Sequence, residues 1–219
     1  MTDGILFIDK PADMTSFGVV ARVRRVLSEK HGKKVKIGHT GTLDPFATGL
    51  MILVAGKKCK NANLYSKLDK VYEATIRLGQ NSSTGDPEGE ITDISDKVPS
   101  LAEIKDALGK FTGKITQRPP IYSAIKINGE RAYKLARKGE TVVMPSRQVN
   151  IYSLDLLDYT YPEVKVCVHV SSGTYIRTLA EDIGSELKVG AYCIQLRRTK
   201  VGKWTVEKAV NLDIYIFKA

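Results

Sequence analysis

Runs of apolar residues along the chain predict its strands. A continuous apolar stretch at residues 50–55 predicts a buried strand, and a shorter one at residues 5–8 predicts another. Apolar and polar residues alternate at residues 71–78 and again at 164–170, which predicts two half-buried strands. In the second of these the valines share one face, and His169 is expected on the opposite face in contact with water.

Apolar residues at helical spacing predict the helices. The first helix follows a turn, and either Thr15 or Ser16 is expected to cap it. A capping box at residues 100–103 opens a second helix that runs to about Lys110, and a third begins near Ile176. The apolar face of the first helix is predicted to consist of Phe17, Val20, Val23 and Leu27.

The remaining segments indicate loops and short elements. Residues 81–90 are rich in Gly, Ser and Asp and predict a loop, whereas the paired prolines in 117–124 exclude regular helix and predict an extended wall. Residues 131–138 predict a short helix with a basic surface. Strands outnumber helices without regular βαβ alternation, so we expect an α+β fold with a mixed, largely antiparallel central sheet flanked by helices and loops. We expect residues 1–219 to form a single domain.

Composition narrows the choice of partner. The 219 residues contain 34 Lys and Arg against 24 Asp and Glu, a formal charge of +10, which favours a polyanion, although a merely basic surface is the simpler alternative. Three cysteines without C-x-x-C spacing indicate neither a disulfide framework nor a zinc site. The N-terminus has no basic leader followed by a long apolar segment, so we expect a cytoplasmic protein.

The segment at residues 38–49 reads Gly-His-Thr-Gly-Thr-Leu-Asp-Pro-Phe-Ala-Thr-Gly and is the strongest candidate for chemistry. Its glycines allow backbone conformations closed to other residues, while Pro45 pushes Asp44 toward an extended conformation. We therefore expect this loop to hold Asp44 in a defined orientation. The alternative is an ordinary turn in which the carboxylate caps a main-chain N–H.

Two further residues stand out by their position. Tyr72 lies with the apolar set of its strand, where it is either a core residue or part of a pocket wall. Arg177 follows Gly-Thr-Tyr-Ile at a predicted strand-to-helix junction.

Taken together, these segments resemble the TruB family of tRNA pseudouridine synthases. The Gly-His-Thr-Gly-Thr-Leu-Asp-Pro loop combined with the later Gly-Thr-Tyr-Ile-Arg is the most specific part of the resemblance. Ordered matches extend over nearly the whole chain. They occupy residues 10–16, 38–49, 70–79, 117–126, 129–137, 173–177 and 196–199.

The resemblance implies a pseudouridine synthase fold and the isomerisation of a uridine in RNA, most readily uridine 55 in the T-loop of tRNA. It implies that Asp44 is the catalytic residue, that Tyr72 stacks on the target base and assists proton removal from its C5, and that Arg177 pairs with Asp44. It further implies that His39 occupies the space of the flipped nucleotide and that Leu196 lines the pocket. The other residues assigned to substrate binding are Lys10, Lys60, Tyr175, Arg197 and Arg198.

The chemistry requires few components. Cleaving the N1–C1′ bond develops positive charge on the sugar. One ionised carboxylate can stabilise that charge, attack the sugar covalently or remove a proton from the sugar. We therefore expect no metal, nucleotide or redox cofactor. We also expect a monomer that acts on the T-arm of tRNA, does not bind a membrane and requires no protein partner. Bacterial members of the family usually continue into a small RNA-binding PUA domain, which we expect to be absent here.

Other functions fit parts of the pattern. A hydrolase of glycosidic bonds would need a second carboxylate, such as Asp86 or Asp182. A noncatalytic RNA-binding or RNA-folding module would use the positive charge without Asp44. An enzyme of the same family acting on a different RNA site is the remaining alternative.

Overall fold

The computed structural model describes residues 3–123, 125–127 and 129–213, and Ala124 of the expected proline wall lies outside them. The α-helices are α1 Ser16–His31, α2 Ala62–Ser66, α3 Leu101–Lys110, α4 Ala132–Arg137 and α5 Ile176–Glu186. The strands are β1 Gly4–Lys10, β2 Ile37–His39, β3 Thr48–Ala55, β4 Lys70–Leu78, β5 Gln80–Ser82, β6 Ile91–Asp93, β7 Gly113–Gln117, β8 Lys126–Ile127, β9 Glu130–Arg131, β10 Arg147–Thr160, β11 Glu163–Val170, β12 Ala191–Val201, β13 Trp204–Thr205 and β14 Val210–Asn211.

The chain divides into two compact units. Unit 1 comprises residues 1–73 and 195–219, and unit 2 comprises residues 74–194. Strands β4 and β12 each contribute residues to both units. The α+β class and the mostly antiparallel sheet expected from the sequence are confirmed. The expectation of one domain over 1–219 stays a prediction.

Unit 1 is built around β3, which is buried over almost its whole length because its residues are apolar on both faces. The strand order is β14-β1-β3-β12, with β2 beside β3 and β13 beside β12. Strand β1 pairs antiparallel with β3, whereas β12 pairs parallel with it. Helix α1 begins after Thr15, whose side chain accepts a hydrogen bond from the Gly18 N–H at 3.0 Å, as the sequence predicted for its cap.

Unit 2 contains the order β4-β11-β10-β7, with antiparallel pairing of β10 to both β11 and β7. The valines of β11 are buried, as their alternation predicted. Helix α3 has the expected capping box between Ser100 and Glu103. Helix α5 buries Ile176, Leu179 and Ile183 on one face.

Two details differ from the sequence predictions. Phe17 belongs to the predicted apolar face of α1 but is 66% exposed, because Val19 takes the buried position beside Val20 and Val23. The Arg24 guanidinium lies over the exposed Phe17 ring. His169 was expected to face only water, but its ring lies 4.7 Å from that of Tyr152 on the neighbouring strand. In the described part of the chain, no helix combines the length and apolar character needed to cross a membrane.

Candidate functional site

Asp44 lies in the loop between β2 and β3 of unit 1 and is half-buried. The loop starts after His39, the last residue of β2, which is half-buried and pairs with Leu53 of β3. A turn at Asp44 is closed by a hydrogen bond from the Ala47 N–H to the Asp44 carbonyl at 3.2 Å. The loop then enters the most buried strand of unit 1, so its C-terminal end is anchored in the core.

Each main-chain carbonyl from residue 41 to residue 45 accepts a hydrogen bond. The Arg198 guanidinium donates to the carbonyls of Gly41 and Thr42 at 3.2 and 3.4 Å. The Ser16 hydroxyl donates to the Leu43 carbonyl at 2.9 Å, and the Lys10 ammonium donates to the Pro45 carbonyl at 2.9 Å. The Asp44 carbonyl accepts from the Ala47 N–H. The Ser16 hydroxyl also accepts from the Leu43 N–H at 2.8 Å. Because all five carbonyls are held, the backbone that carries Asp44 is fixed on both sides of the carboxylate.

Lys10 and Arg198 were assigned to substrate binding, but the structure buries both of them. Lys10 is fully buried, and its Nζ donates to the carbonyls of Pro11, Met14 and Pro45 at 2.6 to 2.9 Å. Arg198 is 2% exposed and binds carbonyls with its guanidinium. Both cations bind main-chain oxygens and thereby support the loop, and their assignment to substrate binding stays a prediction.

The two apolar site residues lie on strands of unit 1. Tyr72 of β4 is 8% exposed, and Leu196 of β12 is buried to the same degree. Side chains alternate between the two faces of a strand, so Tyr72 shares its face with Ala74 and Ile76, as the sequence pattern predicted. Tyr72 is thus set in a rigid strand with its ring largely covered.

The remaining cations of unit 1 are more accessible. Lys60 is exposed in the 3₁₀ helix Gly56–Asn61. Arg197 binds Asp9 with both terminal nitrogens, at 3.1 and 2.7 Å, and its side chain is 40% exposed. The hydrogen bonds that Arg197 donates to Asp9 raise the pKa of Arg197 above its usual range. Arg197 is therefore oriented by a carboxylate.

Arg177 occupies the first turn of α5 in unit 2, where it is 3% exposed. Its Nη1 donates to the Thr84 carbonyl at 2.7 Å and to Asp86 Oδ2 at 3.0 Å, and its Nη2 donates to the Tyr122 carbonyl at 2.9 Å. Asp86 is itself buried, and its Oδ1 accepts from the Thr84 hydroxyl at 2.6 Å and from the Glu88 N–H at 3.0 Å. The guanidinium is thus held rigidly. The pairing of Arg177 with Asp44 stays a prediction.

Tyr175 is fixed through its main chain. The buried Gln117 side chain donates to the Tyr175 carbonyl at 3.2 Å and accepts from the Tyr175 N–H at 3.1 Å. The Arg147 guanidinium lies 4.7 Å from the centre of the Tyr175 ring. Neither Gln117 nor Arg147 was singled out as a site residue, although Gln117 opens the proline segment that the sequence placed in the family pattern.

A cavity of about 480 Å³ lies beside Arg177 within unit 2. Its walls include Thr84 and Tyr122, whose carbonyls bind Arg177, together with Arg118, Glu181 and Asp182. Burial raises the pKa of Glu181 above its ordinary value, and the charge of Arg177 opposes that shift. Burial also raises the pKa of Asp182. Asp86, the other acid considered for a hydrolase, has both oxygens occupied by hydrogen bonds.

Comparison with known proteins places the chain in a family. Residues 24–176 match the model described as TruB family pseudouridylate synthase (N terminal domain), and residues 177–214 match that described as tRNA pseudouridylate synthase B C-terminal domain. A tRNA pseudouridine synthase B from Burkholderia lata is 47% identical over 97% of this chain and 65% of its own length. The namesake from Thermobifida fusca is 44% identical over 97% of this chain and 74% of its own. The chain thus spans about two thirds of the length of the Burkholderia relative.

The fold has solved counterparts. A chain in a crystal structure of a Cbf5-Nop10-Gar1 complex superposes with a TM-score of 0.75 and 29% identity, covering 99% of this chain and 55% of that one. A chain in the structure of an H/ACA RNP bound to a substrate RNA containing 2′-deoxyuridine superposes with a TM-score of 0.70 and 27% identity, covering 98% of this chain and 54% of that one. The family models match more than half of the sequence and together include Asp44, Tyr72 and Arg177. The chain belongs to the TruB family of pseudouridylate synthases.

Proposed function

We propose that this protein isomerises uridine to pseudouridine in tRNA, at position 55 in the T-loop, with Asp44 as its catalytic residue. The observation that carries the proposal is the loop in which five consecutive main-chain carbonyls are held and Asp44 itself is half-buried. Such a backbone is pre-organised, and pre-organisation of a charge is a main source of catalysis. The relatives named tRNA pseudouridine synthase B support the choice of reaction and substrate.

The reaction breaks the N1–C1′ bond, rotates the uracil and forms a C5–C1′ bond, after which C5 loses a proton and N1 gains one. Breaking the first bond develops positive charge at C1′, and the negative charge of Asp44 beside the sugar lowers the energy of that state. The detached uracil is the returning nucleophile, so a second carboxylate to activate water is unnecessary. The half-buried setting of Asp44 favours exclusion of water, which would compete with uracil.

The other residues bind and orient the flipped nucleotide. We assign Tyr72 to stack on the base, since an aromatic platform offsets the cost of extrusion by about 1–3 kcal/mol. Leu196 supplies apolar surface in the pocket, and His39 fills the vacated stack. Arg177 is the cation that keeps the catalytic carboxylate ionised, and its anchoring by Asp86, Thr84 and Tyr122 is what gives it a fixed orientation.

The decisive variant is Asp44→Asn, which keeps the shape of the side chain and removes its charge. We expect pseudouridine formation in transcribed tRNA to fall by about 10³-fold or more, with tRNA affinity within a few-fold of wild type. The exposed Asp96 provides the matched control, because Asp96→Asn makes the same chemical change on the surface. Full turnover by Asp44→Asn would refute the catalytic assignment.

The substrate is tested with the same assay. Mass-spectrometric mapping of total tRNA should find new pseudouridine at position 55, and a transcript with cytidine there should gain none. Modification at another uridine would favour the same-family alternative, release of free uracil would favour a hydrolase, and binding without turnover by the wild type would favour a noncatalytic module. We further propose that the protein works in the cytoplasm. We also propose that it acts as a monomer without a protein partner, and light scattering of the protein with and without tRNA would test its oligomeric state.

A further inference from the structure

The Arg198 guanidinium donates hydrogen bonds to three main-chain carbonyls. Its Nε donates to the Leu50 carbonyl at 2.7 Å, Nη1 to Thr42 at 3.4 Å and Nη2 to Gly41 at 3.2 Å. These three carbonyls lie on both sides of Asp44 in the chain. The planar guanidinium therefore links the beginning of the catalytic loop to the strand that follows it.

The main chain of Arg198 contacts the same segment. Arg198 pairs with Gly49 where β12 runs parallel to β3. Gly49 has a φ of +106°, and a Cβ placed there would lie 2.3 Å from the Arg198 carbonyl oxygen. Only glycine allows so close an approach, so the end of the Asp44 loop is shaped to fit both the backbone and the side chain of Arg198.

Burial separates Arg198 from the exposed cations of its strand. The side chain is 2% exposed, whereas its neighbour Arg197 is on the other face of the strand and is 40% exposed. A guanidinium taken out of water is costly unless its donors are paired, and the three carbonyls pair all three of its nitrogens. Lysine cannot reproduce this arrangement, because its single ammonium nitrogen cannot span Leu50, Gly41 and Thr42 together.

We propose that Arg198 is a positioning residue for the reaction: it holds the Asp44 loop in its working geometry and makes no contact with RNA phosphate. This inference rests on the proposed role of Asp44. A loop displaced by about 1 Å can cost 10²-fold in rate, so the effect of removing Arg198 belongs to turnover more than to binding.

The test compares Arg198→Gln and Arg198→Lys with Lys200→Gln, which removes an exposed cation from the same strand. Single-turnover rates are measured with saturating enzyme, well below the melting temperature of each variant. We expect Arg198→Gln to be about 10²-fold slower and Arg198→Lys about 10-fold slower, with Lys200→Gln within about twofold of wild type. Should Arg198→Gln fail to fold, the lysine variant carries the comparison.

Binding provides the readout that a phosphate contact would change. The slope of log affinity against log salt falls by about one when a phosphate-binding cation is lost. We expect that slope to be unchanged in both Arg198 variants. A slope lowered by about one, or a wild-type turnover rate in a folded Arg198→Gln protein, would overturn the proposal.

Hydrogen exchange separates this inference from the proposed function. The amides of Thr40 and Ala47 are hydrogen-bonded at the two ends of the loop, and we expect them to exchange at least 10-fold faster in Arg198→Gln while amides of α3 keep their rates. If Asp44→Asn stays active and these amides still loosen, the proposed function fails and the loop assignment stands. Unchanged exchange rates would overturn the positioning role directly.

Discussion

The Asp44 loop of unit 1 and the Arg177 cluster of unit 2 fix a charged side chain in opposite ways. The loop has its backbone held by buried side chains, so the position of Asp44 is set through its main chain. In the cluster the charged side chain itself is held, by Asp86 and by two carbonyls. The first arrangement aims a functional group through its main chain, while the second immobilises the guanidinium directly.

The difference predicts where each region is fragile. The cluster contains a buried ion pair, and removing one partner of such a pair leaves an uncompensated charge. The Asp44 loop is held through neutral main-chain carbonyls. Losing one side-chain donor should therefore shift the loop without unfolding the protein. Substitutions in unit 2 should thus reduce stability most, and those in unit 1 should reduce turnover at a smaller cost in stability.

The largest effect is expected for Arg177→Gln, which leaves Asp86 buried without its cation. We expect the free energy of unfolding to fall by about 3–5 kcal/mol, measured by urea denaturation. Lys110→Gln is the matched control, since it breaks an exposed pair with Glu186 and should cost at most about 1 kcal/mol. Equal losses in the two variants would contradict the view that burial makes the Arg177 pair critical.

Gly49→Ala tests the close approach in the Asp44 loop. The new Cβ would meet the Arg198 main chain, so we expect a loss of about 2–4 kcal/mol together with a slower reaction. Gly113→Ala is matched in backbone strain, because Gly113 has a φ of +99° and no heavy atom within 4 Å of an added Cβ. It should cost only about 1–2 kcal/mol. A Gly49 variant no less stable than the Gly113 variant would remove the steric argument.

Local patterns predicted the elements because each of them depends on neighbouring residues. The apolar run of β3, the valines of β11 and the cap of α3 are confirmed for that reason. Phe17 shows the limit, since helical spacing alone did not decide whether Phe17 or Val19 completes the buried face of α1. The glycines and proline of the Asp44 loop predicted a loop with a restricted backbone conformation.

The partners of the site residues could not be predicted in the same way. Arg177 and Asp86 are 91 residues apart in the chain, and no periodicity connects them. The burial of Arg198 could have been predicted, because it follows the apolar Leu196 by two residues and therefore shares its strand face. Its charge alone suggested an exposed position. The alternation of side chains along the strand is the signal that would have predicted its burial.

The pH dependence of stability probes the electrostatics around Arg198. Burial, and secondarily the charge of Arg198, lower the pKa of Lys70 to about 8, while Asp69 opposes the shift. The ammonium donates to the carbonyls of Ser66 and Leu68. Because the unfolded chain binds a proton more tightly than the folded one, Lys70 makes folding less favourable below pH 8, and stability rises with pH between about 8 and 10.5.

Comparison with Lys70→Met isolates this contribution. We expect the stability of the wild type relative to Lys70→Met to increase by about 2–3 kcal/mol across that range, measured by urea denaturation at fixed ionic strength. In Arg198→Gln the rise should begin at a higher pH, since one cause of the lowered pKa is gone. A difference between wild type and Lys70→Met that is flat with pH would show that Lys70 keeps its ordinary pKa.

The smallest effect distinguishes the exposed cations of unit 1 from the buried ones. Lys60 is exposed, so a phosphate can reach it without disturbing the fold. We expect Lys60→Gln to weaken tRNA binding a few-fold at low salt and to lower the salt slope by about one, with Lys60→Arg retaining both. The same titration leaves the slope of Arg198→Gln unchanged if that guanidinium serves the loop. Identical slopes for wild type and Lys60→Gln would take Lys60 out of the RNA-binding surface, because losing a cation that neutralises a phosphate lowers the slope.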